Sequence, residues 1–544
     1  MKGSGAGLAL TALALLLAAC GPSGFDGLTG GTRGEVVKPP RVDETVIAPR
    51  PTSPLSVTLV DTLRPELRWS LSGDLTGAVI ELCRTRACTT VEKTFTAKGS
   101  RFPVPEDLAQ GVWFWRLRGV SNERTGTKDS ATFEFVVRGA PKGPETASTF
   151  PYGSFVDVNG DGFADLVVLV LAGSELLLET YHGDAEGTLT RVGSSFVDEV
   201  PPGTELPVGF SPSIASGLDL DGDGFADTVL ALPTSAGSPF PQIPLSAYLG
   251  SEKGLRELPI VPSLPQIAGA STSVSMAGDF DGDGYGDLVA GAPGSAFVVN
   301  GGSPWRGRLV SLLGSGAPQK TGLFVLGGFD WNRDGFSDAL VSLAAKDAHA
   351  GIVTGGDKRE TSNLKLEVSF PLPRAVAGGT SLDFDSDGKR DLVLATEVTG
   401  PCEARPGVEA PAACGGYCAF RGADLKFIFC SELESTKGAI SRFGASVVAL
   451  DLDASGRDTL LVDRSGSAAS AVEIVKLPAS ELELDESRES LPARGFGAAL
   501  TVISPGRPGA ARWAGVADSL TAVRVFAGEQ KAFDLPSRRV LAIR

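Results

Sequence analysis

One nine-residue pattern, with oxygen-bearing side chains at positions 1, 3, 5 and 9 and glycine at position 6, recurs five times in this 544-residue chain and limits what it can fold into. The copies place Asp157, Asn159, Asp161 and Asp165 around Gly162, then Asp219, Asp221, Asp223 and Asp227 around Gly224, then Asp279, Asp281, Asp283 and Asp287 around Gly284. Two more place Asp330, Asn332, Asp334 and Asp338 around Gly335, and Asp383, Asp385, Asp387 and Asp391 around Gly388. Alternate carboxylates in a tight loop converge on one point, and glycine permits the sharp turn, which is what a hard cation such as calcium requires. The residue at position 7 (Phe163, Phe225, Tyr285, Phe336 or Lys389) is expected to add its backbone carbonyl. About five structural calcium ions are therefore expected; magnesium is less suited, because it demands stricter octahedral geometry.

An EF-hand shares the first six positions but needs a bidentate glutamate at position 12, where this chain has Val168, Leu230, Ala290, Val341 and Leu394. Each loop runs into a β-type segment, as in Leu166-Val167-Val168-Leu169-Val170, so the loops are placed in strand-to-strand turns. The rival reading is a set of metal-free Asx turns, against which five copies in register weigh heavily. The net charge of −16 reads largely as a feature of these loops, and it excludes nucleic acid as a partner.

The copies open 51 to 62 residues apart, a period suited to one four-stranded propeller blade. Two degraded units come after them, one at Asp451-Leu452-Asp453-Ala454-Ser455-Gly456-Arg457-Asp458 and one near Ser504-Pro505-Gly506, making seven. Phe443-Gly444, Phe496-Gly497, Asp287-Leu288-Val289-Ala290-Gly291-Ala292-Pro293 and the Tyr248–Leu255 stretch resemble the FG-GAP repeat over about residues 145–544. The likeness extends to integrin α chains and to the bacterial proteins called VCBS or FG-GAP proteins. It implies an all-β chain with a seven-bladed β-propeller, calcium loops on one face and ligand recognition on the other.

Lys2, the apolar run Ala6–Ala19 and Leu17-Ala18-Ala19-Cys20 read as a secretory signal whose end resembles a bacterial lipobox, with Cys20 as the lipidated residue. Residues 21–54, rich in Gly, Pro and Thr, are expected to form a flexible tether. Residues 55–140 alternate like strands and resemble a small fibronectin III or Ig-like β-sandwich, with Trp69, Trp113 and Trp115 read as core in preference to a sugar-stacking platform. Export is consistent with six remaining cysteines. Cys83 and Cys88 are close enough to pair, while Cys402, Cys414, Cys418 and Cys430 allow three connectivities or, as a rival, a zinc site. These four define an expected Cys-rich insertion at 399–430, read either as a recognition loop exposing Arg405, Tyr417 and Arg421 or as a decorative, disulfide-stapled loop.

His182 and His349 are the only histidines and have no partner pattern; no nucleophile elbow, zincin helix or phosphate loop occurs. The reading is accordingly a non-enzymatic, calcium-binding, lipid-anchored adhesion or scaffold module at the cell envelope, preferentially the outer membrane, with a protein or glycan ligand. The alternatives are a calcium-dependent polysaccharide lyase or hydrolase and a purely structural envelope component.

Overall fold

The computed structural model describes residues 41–543 apart from several inter-strand segments; residues 1–40, 138–155, 202–211, 233–244, 258–272, 397–413 and some shorter turns lie outside the described residues. Cys20, the signal and most of the expected tether therefore fall outside them, as do Cys402, Arg405, Asp385, Asp387 and Lys389. The described residues are all-β: every helix or strand assigned among them is a strand.

Seven of the sheets have four antiparallel strands each. The first joins Leu166–Ala172, Glu175–Gly183 and Leu189–Glu199 to the C-terminal strand Arg539–Ile543. The other six are arranged in chain order, opening with Ser213–Leu218, Ser273–Gly278, Val325–Phe329, Val376–Leu382, Arg442–Leu450 and Phe496–Ser504. Each of these opening strands contacts the next, Phe496–Ser504 contacts Arg539–Ile543, and Arg539–Ile543 contacts Ser213–Leu218. The cycle is closed, which is the arrangement of a β-propeller.

The second strands carry continuous apolar runs because both faces of their sheets are covered by neighbouring sheets. Leu166, Val168 and Val170 pack with Ala514, Val523 and Val525 on one side, while Val167 and Leu169 pack with Ile214 and Leu230 on the other. Strands buried on both faces read as continuous Val/Leu/Ala runs and not as alternation. The outer strand Leu189–Glu199 meets solvent instead and leaves Val192 and Phe196 exposed.

The N-terminal part forms one seven-stranded and one three-stranded sheet, with Trp69 of the smaller and Trp113, Trp115, Phe133 and Phe135 of the larger in a common core. The three tryptophans are buried, so they are core residues. This part starts earlier than the sequence suggests. Arg50–Ser53, expected in the tether, pairs with Glu66–Ser70, and Arg41–Val42 pairs with Arg124 and Thr125. The polar composition that reads as a tether belongs here to short edge strands, which satisfy their backbone on one side only.

The expected insertion at 399–430 is also corrected. Cys414–Arg421 and Lys426–Glu434 are the third and fourth strands of the fifth four-stranded sheet. Tyr417 is 1% exposed and packs in the sheet core, so it is not a recognition residue. Cys418 and Cys430, opposite each other on those strands, form a disulfide, as do Cys83 and Cys88. A thiol oxidised in a disulfide is not a zinc ligand, which removes the four-cysteine zinc reading.

Deleting Arg539–Ile543 strips Leu166–Ala172 of its inner neighbour and removes the buried Val540. The expected outcome is a loss of about 2–5 kcal/mol, the scale of a large core deletion, with aggregation through the exposed strand edge. Denaturant unfolding and size-exclusion chromatography of the truncated chain check it.

Candidate metal centres

The second, third and fourth loops each join the first and second strands of a sheet; the first precedes Leu166–Ala172 directly. Their backbones are held by the same carboxylates that sequence singles out. The position 1 aspartate accepts, at Oδ2, the N–H of the position 6 glycine, at 2.8, 2.7, 3.0 and 2.9 Å in the first four loops. The position 5 aspartate accepts the N–H of residue 7 at 2.8–3.1 Å.

The position 9 aspartate bridges two strands in all five copies. Its Oδ2 accepts the N–H of residue 2, from Val158, Leu220, Phe280, Trp331 or Phe384. Its Oδ1 accepts the N–H of a glycine just beyond the third strand or at its end: Gly183, Gly250, Gly301, Gly355 or Gly422.

Neighbouring loops are stitched together as well. The N–H of residue 8 reaches the carbonyl of residue 1 in the preceding loop, from Ala226 to Asp157, Gly286 to Asp219 and Ser337 to Asp279, each at 3.0 Å. Asp458, the eighth residue of the degraded sixth unit, makes the same bond to Asp383 at 3.1 Å. The ring at position 7 lies against the position 4 glycine of the preceding loop: Phe225 on Gly160, Tyr285 on Gly222 and Phe336 on Gly282, where a Cβ at Gly222 or Gly282 would collide with it. Position 4 also requires a left-handed backbone, with φ of +70°, +80° and +78° in the first three loops. In the fourth loop Arg333 takes this conformation at φ +60°.

Burial and crowding push the loop carboxyls upward. Asp157 rises to about 7, from burial first and then the charge of Asp161; Asp165 rises to about 8, from burial and then Asp157. Asp223 rises to about 7 and Asp330 to about 6, again chiefly through burial. Asp227, Asp279, Asp287 and Asp338 are pushed well above the usual range for the same first reason.

One ligand oxygen each from Asp219, Asp221 and Asp227 lie within 4.8 Å of one another, and so do those of Asp279, Asp281 and Asp283. A carboxylate oxygen that accepts one N–H keeps further lone pairs, so these sets fit a hard, oxygen-seeking dication. In the first and fourth loops the asparagine at position 3 donates to the aspartate at position 5, from Asn159 to Asp161 and Asn332 to Asp334. At the fifth, Asp383 and Asp391 are described, and half-buried Arg390 brings a fixed positive charge, paired with Asp458 at 3.4 Å. That charge competes with a bound cation.

Sequence reasoning missed the residues that reach these loops from the N-terminal sheets. Arg86 donates to Gly284 O at 2.8 Å, pairs with the buried Glu134 at 2.7 Å and stacks on Tyr285; Ser56 Oγ donates to the same carbonyl. Arg50 donates to the carbonyls of Gly335 and Asp334 and stacks on Phe336. Val57 and Leu59 enter the cores of the four-stranded sheets. None of these residues carries a local sequence signal, because each partner lies far along the chain. His182 meets Asn159 at 3.2 Å in the first loop, and the His349 carbonyl accepts the N–H of Leu343.

A closed ring of four-stranded sheets with acidic turns stitched edge to edge defines a repeat propeller. Residues 271–305, which contain the third loop, match the FG-GAP repeat family. Integrin alpha-IIb of Homo sapiens is 34% identical over 175 residues, 29% of this chain and 16% of that protein. Integrin alpha pat-2 of Caenorhabditis briggsae is 25% identical over 326 residues, 52% of this chain and 26% of that protein. The chain thus spans only 16% to 26% of the length of these relatives. The chain carries a match to the FG-GAP repeat at residues 271–305 and is similar to integrin α chains over part of its length. Among solved structures, an exotype rhamnogalacturonan lyase aligns at a TM-score of 0.35 and 12% identity, over 89% of this chain and 91% of that one. Puromycin hydrolase aligns at 0.33 and 14%, over 71% and 56%. Likeness at this level says nothing about activity.

Two outcomes are expected. Arg333→Gly relieves the left-handed strain of an exposed residue and stabilises the chain by roughly 0.5–1 kcal/mol, read by urea unfolding. With chelator present, stability falls as pH rises from about 4 to about 8, because the folded carboxyls keep protons there that the unfolded ones have lost. Thermal melts across that range check the sign; a rise with pH would contradict the burial of these groups.

Proposed function

We propose that this chain is a calcium-braced, ligand-binding or adhesion module of the cell surface, each four-stranded sheet one blade of a seven-bladed propeller, exported and held to a membrane by a lipid on Cys20. The observation that carries the reading is the recurrence of one stitched, oxygen-lined loop in successive sheets of a chain whose relatives are integrin α chains. In the first four loops, residues 1, 3, 5 and 9 together with the carbonyl of residue 7 hold the cation, and the ion neutralises carboxylates that burial otherwise drives toward protonation. The fifth loop binds most weakly, because Arg390 stands beside it. A protein or glycan ligand is recognised by loops away from the metal sites.

Two measurements test this. Extracellular modules bind calcium with Kd on the order of 0.1–1 mM, so 10 mM calcium should add roughly 1.4–2.7 kcal/mol for each occupied site over a chelated sample. Differential scanning calorimetry of the chain from Gly21 onward reads that gain, and an unchanged melt removes the brace. Saturable, calcium-dependent binding to immobilised surface proteins or a glycan array supports the adhesion role; no binding to either panel leaves a structural envelope component.

A further inference from the structure

At the third loop a side chain outside the nine-residue pattern reaches the acidic cluster. Asn300 ends the third strand of its sheet, one residue before the Gly301 N–H that holds Asp287. Its Nδ2 donates to Asp281 Oδ2 at 2.6 Å, so the amide points into the set formed by Asp279, Asp281 and Asp283. Asn300 is only 7% exposed, and its Oδ1 is buried without a hydrogen-bond partner among the described residues. A buried amide oxygen left without a partner is costly, at about 1–3 kcal/mol, and this one belongs to an amide whose other end already touches the acidic set.

We propose that Asn300 supplies, through Oδ1, a further protein ligand to the cation of the third loop. This rests on the calcium reading of the loops. Nδ2 and Oδ1 lie on one planar amide, so a half-turn about its last torsion brings the oxygen to the place beside Asp281 that the nitrogen holds. Two oxygens face each other there only when a cation stands between them. Amide carbonyls are ordinary calcium ligands, and neutral ones add coordination without adding repulsion to a crowded acidic site.

The same position differs in every copy: His182, Leu249, Asn300, Thr354 and Arg421 precede the glycines that bind the position 9 aspartates. In the first loop His182 also meets the residue at position 3, Asn159, as Asn300 meets Asp281. Leu249 offers the second loop no ligand atom, so the second and third loops, whose acidic positions are identical, differ at this place. The third-strand terminus thus grades loops whose nine-residue patterns are nearly equivalent, and the third is the tighter of the two.

The test is a crystal structure of the calcium-loaded chain, with calcium isotherms for wild type, Asn300→Ala, Asn300→Asp and Leu249→Asn. Asn300 Oδ1 is expected about 2.3–2.6 Å from the ion. Asn300→Ala should weaken one site by at least about tenfold with the total number of sites kept; Asn300→Asp, which retains an oxygen, should restore it, and Leu249→Asn should tighten a different site. A wild-type structure with the ion in the third loop and Oδ1 beyond about 3.5 Å overturns the proposal alone, as does an Asn300→Ala isotherm that superimposes on wild type. If wild-type protein binds no calcium at all, the reading of the loops fails and this inference fails with it.

Discussion

The position 9 carboxylate is the interaction on which the ring depends. Asp165, Asp227, Asp287, Asp338 and Asp391 are all buried, and each ties the start of its own loop to the end of the third strand through two backbone N–H groups. An apolar residue there would leave two buried N–H groups unpaired in each of these five sheets, at about 1–3 kcal/mol each. Its burial also raises the energy of the charged form, so the scaffold itself creates the demand for a cation that the remaining loop oxygens can meet.

The loops and sheets were legible because their causes are local. Spacing of acids and glycine sets the turn, and runs such as Leu166–Ala172 fix strands buried on both faces. Cys83–Cys88 was legible for the same reason, being a pair five residues apart. Errors came where composition resembles more than one state. Arg50–Ser53 is polar and proline-bearing like a linker, yet it pairs along a short edge strand. Cys414–Arg421 lies among glycines and cysteines like a stapled loop, yet it carries Tyr417 and Ala419 into a sheet core. In both, a distant partner decided the outcome.

At the loops, what sequence left out was the set of side chains arriving from elsewhere. Arg50, Arg86, Ser56 and Asn300 have no motif, and only the three-dimensional neighbourhood shows that guanidinium groups rest on the position 7 rings of the third and fourth loops. Those rings already cover the preceding loop's glycine, so one aromatic residue serves two contacts at once. The N-terminal sheets are joined to the propeller at the loops themselves, by carbonyl acceptors that belong to the acidic turns.

The first sheet borrows its inner strand from the far end of the chain, where Arg539–Ile543 pairs with Leu166–Ala172. This sets an order of events during synthesis. Six sheets can assemble from neighbouring segments as they emerge, but the first keeps an unpaired edge of Leu and Val until Arg539–Ile543 has been made and has docked. Loop closure over so long a segment is entropically expensive and slow. That interval is the period of greatest exposure to proteases and to sticking, and it ends only when the ring closes.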